Sequence, residues 1–125
     1  MGRYLIDTNI VSKYLSGLLP QEGERLLDSV IDSIPQLSVM TQIELLCWKS
    51  GFDIRVKEFV NDSSIFALTT DIVGMCVKIR RERRMRTPDA IIAATAIVND
   101  LILLTDNEVD FSGITQLEMI NPNKL

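Results

Sequence analysis

The chain has 125 residues, with 17 acidic and 13 basic side chains, a formal net charge of −4 and no histidine. Its 46% apolar and 24% charged content is an ordinary globular mixture, and its length suits one domain over residues 1–125, because two would each be too small to bury a good core. The missing imidazole excludes Ser-His-Asp and Cys-His catalysis and any histidine-containing zinc site, so chemistry falls to carboxylates, lysine, tyrosine, cysteine or a bound metal. No run of 18 apolar residues occurs, so no membrane span is expected. The stretch from Met1 to Asp7 reaches a carboxylate too early for a secretory leader. Cys47 and Cys76 match no metal or redox spacing and are expected to be free thiols in a reducing cytoplasm.

In chain order, Tyr4-Leu5-Ile6 is a short apolar run ending at Asp7, which predicts a buried strand entering a turn. Thr8 or Asn9 then caps a helix carrying Ile10, Val11, Tyr14 and Leu15, and Gly17 closes it. Leu26, Leu27, Val30, Ile31 and Ile34 repeat that spacing over about 21–33, and Pro35 stops the second helix. Leu37 to Met40 reads as a second strand, and Thr41-Gln42-Ile43-Glu44 opens a helix ended by Gly51. An amphipathic stretch covers Asp53 to Val60, and Ile65 to Leu68 is a third strand. Thr70 to Arg84 is helical, with Ile72, Met75, Cys76 and Ile79 on one face. Thr87-Pro88-Asp89 opens a helix that is apolar nearly all round from Ala90 to Val98, the mark of a helix buried against a sheet. Leu101 to Leu104 and Leu117 to Ile120 are the fourth and fifth strands. Strands alternating with helices predict an α/β fold, a parallel sheet covered on both faces.

Ligands of such sheets bind beyond the carboxyl ends of the strands. Asp7 follows the first strand, Asp106 and Asp110 follow the fourth, Glu44 is expected in the first turn after the second, and Asp89 opens the buried helix. Each acid taken singly has a plain structural role. Thr41-x-x-Glu44 fits a capping box, Asp89 suits a helix dipole, Asp7 suits a cap, and Asp106 and Asp110 suit turns. A shared rim is explained more economically by one metal site, because clustered carboxylates repel and a divalent cation offsets the repulsion. Oxygen ligands without histidine or thiolate favour Mg²⁺ or Mn²⁺ over zinc, and such a site hydrolyses phosphodiesters without an imidazole base.

These segments resemble the PIN domain family and, within it, the VapC-type toxins of bacterial toxin–antitoxin pairs. Tyr4-Leu5-Ile6-Asp7-Thr8-Asn9 is similar to the family's opening strand, and Val39-Met40-Thr41-Gln42-Ile43-Glu44-Leu45 to its second motif. Thr87-Pro88-Asp89-Ala90-Ile91-Ile92-Ala93-Ala94-Thr95-Ala96 is the most specific match. Leu104-Thr105-Asp106-Asn107-Glu108-Val109-Asp110-Phe111 resembles the last acidic motif, and the stretch from Gly113 to Pro122 the C-terminal strand and tail. The resemblance implies a three-layer α/β/α sandwich around a central, mostly parallel five-stranded sheet. It implies Asp7, Glu44 and Asp89 as metal-binding acids, with Asp110 or Asp106 as the fourth, and Asn9, Thr105 and Asn107 orienting the site. It further implies a Mg²⁺- or Mn²⁺-dependent endoribonuclease cutting structured RNA such as tRNA or rRNA loops, a homodimer, and a cognate antitoxin that blocks the site. The amphipathic helices between Thr8 and Ser33 are candidate dimer surfaces.

The charge is unevenly spread. Lys78, Arg80, Arg81, Arg83, Arg84 and Arg86 surround one acid, Glu82, so residues 78–86 carry +5 and the rest of the chain −9. The basic run leads into Thr87-Pro88-Asp89, so it is expected beside the metal site, with Arg80, Arg81, Arg84 and Arg86 gripping RNA backbone. Trp48, Cys47, Cys76 and Met75 read as core residues. Two other functions are weighed. A receiver-type phosphoacceptor domain has similar length and alternation, but it needs a second acid beside Asp7, an Asp after the third strand and a late lysine. Here Thr8-Asn9 and Leu68-Thr69-Thr70 stand at the first two places, and the only late lysine is Lys124. A catalytically silent binding module of the same fold is disfavoured because every acid is present.

Overall fold

A computed structural model describes residues 3–125; Met1 and Gly2, the start of the segment read as too short for a leader, lie outside it. Five short strands alternate with seven helices: β1 (Tyr4–Ile6), α1 (Thr8–Leu15), α2 (Gln21–Asp32), β2 (Gln36–Ser38), α3 (Val39–Cys47), α4 (Asp53–Asn61), β3 (Ser64–Phe66), α5 (Thr70–Glu82), α6 (Thr87–Val98), β4 (Ile102–Leu104), α7 (Glu108–Phe111) and β5 (Met119–Ile120). A 3₁₀ turn at Pro122–Lys124 ends the chain. Every strand pairing is parallel among the described residues. The ladders run β1–β4–β5 and β2–β3. β1 lies against β2, where the Gln36 side-chain amide reaches the Tyr4 carbonyl at 3.4 Å. No helix among the described residues is long and apolar enough to cross a membrane.

Side-chain alternation along the strands builds the three layers. Leu5 and Leu103, both fully buried, face one core with Ile72, Cys76 and Ile79 of α5 and most of α6. Ile6 and Leu104, one residue further on, face a second core with Ile10, Val11 and Leu15 of α1, Leu27 of α2, Leu45 of α3 and Val56, Phe59 and Val60 of α4. α6 has seven buried residues in a row, Ala90 to Ala96, so it lies sandwiched rather than half-exposed. Thr95 survives there because its hydroxyl donates to Ile91 O at 2.7 Å within its own helix.

Two elements begin differently from the pattern. β2 ends at Ser38, and α3 starts at Val39, two residues earlier than the apolar run suggests. The cause is the cap: Ser38 Oγ accepts from Thr41 N at 3.2 Å. Thr41 is therefore a buried interior residue, the capping box with Glu44 does not form, and Glu44 moves to the second turn. Neither Thr8 nor Asn9 caps α1; Asp7 does, with its carboxylate accepting from Thr8 N at 2.8 Å. α7 is a single turn capped by Asn107, whose side chain accepts from Asp110 N. It is too short for hydrophobic periodicity to mark.

The tail docks on α2 through close backbone contact. A Cβ on Gly23 would sit 2.2 Å from Pro122 O, whereas one on Gly74, in α5, would meet nothing within 4 Å. Gly23→Ala should cost about 1–3 kcal/mol through overpacking, and Gly74→Ala should gain about 0.5–1 kcal/mol of helix stability. Urea unfolding of the two variants beside wild type checks both signs.

Candidate metal centre

The parallel β1–β4 ladder continues one bond beyond its strands, with Asp7 N donating to Leu104 O at 2.9 Å. This sets Asp7 beside Thr105, its neighbour across 98 residues of sequence, at the carboxyl ends of both strands. Asp7 is buried at 6% exposure. Oδ1 accepts from Thr8 N, and Oδ2 accepts from the buried Thr105 hydroxyl at 2.7 Å. Thr105 Oγ1 in turn accepts from Asn107 N at 3.0 Å, so one hydroxyl ties β1 to the loop after β4.

Glu44 approaches from α3. Thr8 Oγ1 donates to Glu44 Oε1 at 2.5 Å and lies 3.1 Å from Thr41 Oγ1. Asp89 stands in the first turn of α6, and Asp110 in α7 accepts from Asn107 Nδ2 at 2.9 Å. Asp7 and Asp89 each lie in the field of neighbouring acids. Burial pushes the Asp7 carboxyl up from 3.8 to about 6, against the pull of the Thr105 and Thr8 hydrogen bonds, and the charges of Asp89 and Glu44 add to the rise. Burial also raises Asp89, helped by Asp110 and Glu44 and opposed by Arg86. Asp7, the N-cap of α1, thus shares one acidic neighbourhood with Glu44 of α3 and Asp89 of α6, and Asp89 in turn with Asp110 of α7.

Asp106 points elsewhere. It pairs with Lys13 at 2.5 Å and accepts from Asn123 Nδ2 at 3.2 Å, so its charge is already compensated. Asn9 does not orient an acid. Its side chain is exposed and bonds none of the four carboxylates among the described residues, and the hydroxyl next to it, Thr8, holds Glu44 instead. The signal for Thr8 was present in Asp7-Thr8-Asn9, but only the approach of α3 gives it a role. Lys124 is paired with Glu108 at 3.0 Å.

The donor set suits a hard divalent cation. Among the described residues no three acids close into a ready-made cage. Mg²⁺ needs none, because it keeps several waters and takes only one or two carboxylates directly. The clustered charge, with two carboxyls raised, is what a cation would relieve.

The basic run is divided by task. Arg83 Nη2 donates to Asp110 O at 3.1 Å and Ser112 O at 3.3 Å, clamping the turn that carries Asp110. Gly113, at φ +97°, leaves room for the guanidinium, since a Cβ there would lie 3.1 Å from Arg83 Nη1. Arg80 Nε donates to Met85 O at 3.0 Å. Arg81, Arg84 and Arg86 are exposed and have no hydrogen-bond or ion-pair partner among the described residues. Arg80 and Arg81 border an apolar groove between α5 and α6, while the field of Arg86 reaches Asp89. Both thiols are free. Cys76 is core as expected, whereas Cys47 is exposed; Trp48 is half-buried, packing against the second core while also lining a cavity beside Glu44.

The family profile described as PIN domain matches residues 4–115. A toxin–antitoxin complex from Klebsiella pneumoniae contains a chain 30% identical, superposing with a TM-score of 0.77 over 95% of this chain and 97% of that one. VapBC2 from Rickettsia felis, bound to a DNA fragment from its promoter, gives 19% identity, a TM-score of 0.76 and coverage of 94% and 97%. DNA-bound VapBC from Salmonella typhimurium gives 20%, 0.76, and 96% and 98%. The last two show shared fold alone. Comparison with curated protein sequences gives no match.

The unfolded chain releases the Asp7 proton near 3.8 and the folded chain near 6, so folded stability falls as pH rises through that window and the deficit is complete above it. In EDTA at pH 7, Asp7→Asn should therefore stabilise the protein by about 1–3 kcal/mol, with the gain vanishing near pH 4. Thermal unfolding across pH 4–8 measures it.

Proposed function

The chain belongs to the PIN domain family, and on that premise we propose that it is a metal-dependent endoribonuclease, the toxin of a toxin–antitoxin pair. The observation that carries this reading is geometric: Asp7, held by Thr105 at the carboxyl ends of β1 and β4, is joined through Thr8 to Glu44, with Asp89 close enough for its charge to act on Asp7 and Asp110 close enough to act on Asp89. The 30% identity to a chain of a toxin–antitoxin complex, over nearly the whole length of both, supports the toxin assignment and a protein antitoxin as partner.

In this reading Asp7, Glu44, Asp89 and Asp110 hold Mg²⁺ or Mn²⁺, and Asp106 does not, because Lys13 already neutralises it. The bound cation would supply Lewis acidity toward a phosphodiester oxygen and toward the attacking water. The protein's part is to hold the acids still. Thr8 N and Thr105 fix both oxygens of Asp7, the Thr8 hydroxyl fixes Glu44, and Asn107 with Arg83 fixes the Asp110 turn. Pre-set ligands of this kind lower the reorganisation needed when charge builds up on phosphate. Structured RNA such as tRNA or rRNA loops is the substrate, and Arg81, Arg84 and Arg86, exposed and unpartnered among the described residues, receive its backbone together with the exposed Arg80.

The purified protein should cut RNA with Mg²⁺ or Mn²⁺ and stop on addition of EDTA. Asp7→Asn or Asp89→Asn should lower kcat/KM at least ~100-fold, an order typical of a lost charge-stabilising group. Mn²⁺ should raise the Tm of wild type and leave that of Asp7→Asn nearly unmoved. Cleavage that persists in EDTA would sink the metal assignment.

Replacing Arg81, Arg84 and Arg86 together by Gln should weaken RNA binding and lower the slope of log K against log salt by about 2, given a slope of ~0.7 per phosphate contact on single strands. Filter binding over a salt series reads this directly, and an unchanged slope removes the basic run from the RNA site.

A further inference from the structure

Beside the acids lies a cavity of about 400 Å³ between α1 and α3, lined by Thr8, Asn9 and Ser12 on one side and Glu44, Leu45 and Trp48 on the other. Its size falls within the ~300–1,000 Å³ of small-ligand clefts. It shares Thr8 and Glu44 with the acidic cluster, so whatever fills it is contiguous with a phosphate held there. Its chemistry is mixed. The half-buried indole of Trp48 supplies aromatic lining and packs beside Phe52, with ring centroids 6.5 Å apart at 46°. Asn9 offers an amide donor and acceptor. Among the described residues neither the Asn9 amide nor the Trp48 indole N–H has a hydrogen-bond partner.

We propose that this cavity is a nucleobase subsite, in which a base next to the scissile phosphate stacks on Trp48 and pairs its edge with Asn9. The proposal rests on the nuclease reading above and extends it to substrate selection. Proteins read single-stranded RNA by this combination, an aromatic face for an unstacked base and a side-chain amide for its edge. A base inside a duplex is already stacked and paired, so the subsite selects loops and single strands over helices. It also locates the cut: the base that enters the cavity fixes which phosphate meets Asp7, Glu44, Asp89 and Asp110. A protein partner would fill the same space with side chains, but an unpaired amide beside an aromatic lining, next to a phosphate-handling acidic cluster, matches a nucleotide more fully than it matches an apolar anchor.

Trp48 is the chain's single tryptophan, so its fluorescence reports on the cavity directly. With Ca²⁺ in place of Mg²⁺, tetranucleotide RNAs should quench Trp48 saturably, while an abasic tetramer with the same sugars and phosphates should not. In Mg²⁺ or Mn²⁺, Trp48→Leu and Asn9→Ala should each raise KM by about tenfold, the scale of one lost base contact, with a smaller change in kcat. Asn9→Ala, at an exposed position, keeps the test valid should Trp48→Leu unfold, and it should also broaden the base preference at the cut site. Equal quenching by the abasic tetramer, or an unchanged KM and cut position in both variants, would overturn the subsite. Should the wild-type protein cut no RNA with either metal, the nuclease reading fails, and the quenching experiment alone then decides whether the cavity takes a base.

Discussion

The parallel pairing of β1 with β4 is the constraint on which the rest depends. It joins segments nearly a hundred residues apart, and its last backbone bond, Asp7 N to Leu104 O, sets Asp7 against Thr105. The same register sends Leu5 and Leu103 into one core and Ile6 and Leu104 into the other. A one-residue slip would exchange those faces and pull Asp7 from its hydroxyl, so packing and site geometry are fixed by a single choice.

The cost of the arrangement is electrostatic. A buried carboxylate with two acids in its field is poorly solvated, and two hydrogen bonds offset only part of the penalty, leaving the Asp7 carboxyl near 6. At this residue the proposed metal-binding role and stability therefore pull in opposite directions. The strain is tolerated because the surroundings are rigid: Asp7 caps α1, Thr105 is fully buried, and α6 behind the site is packed on every side.

Cations in the chain divide along the same line. Lys13, Arg80 and Arg83 are committed to contacts inside the molecule, to Asp106, Met85 O and the α7 turn respectively. Arg81, Arg84 and Arg86 remain exposed. A net charge of −4 is thus compatible with the proposed RNA binding, because the acids gather near one edge of the sheet and the uncommitted arginines stand apart.

Much was legible from the chain alone. Periodicity and breakers located every helix of eight residues or more and all five strands to within a few residues, because burial on one face leaves a repeat that needs no partner to be read. The motif acids were legible as residue types placed after predicted strands or early in predicted helices. What the tertiary structure decided were choices between neighbours. Ser38 rather than Thr41 caps α3, which moves Glu44 to the second turn; Thr8 rather than Asn9 holds Glu44; Asp106 is drawn off by Lys13 while Asp110 faces Asp89. Cys47, apolar on paper, came to the surface, while Trp48 packs against the second core and keeps one part open to a cavity. Each of these depends on which groups from distant segments come within hydrogen-bond reach. Composition and spacing determined that the acids exist and lie near one edge; only the folded chain determined which of them meet.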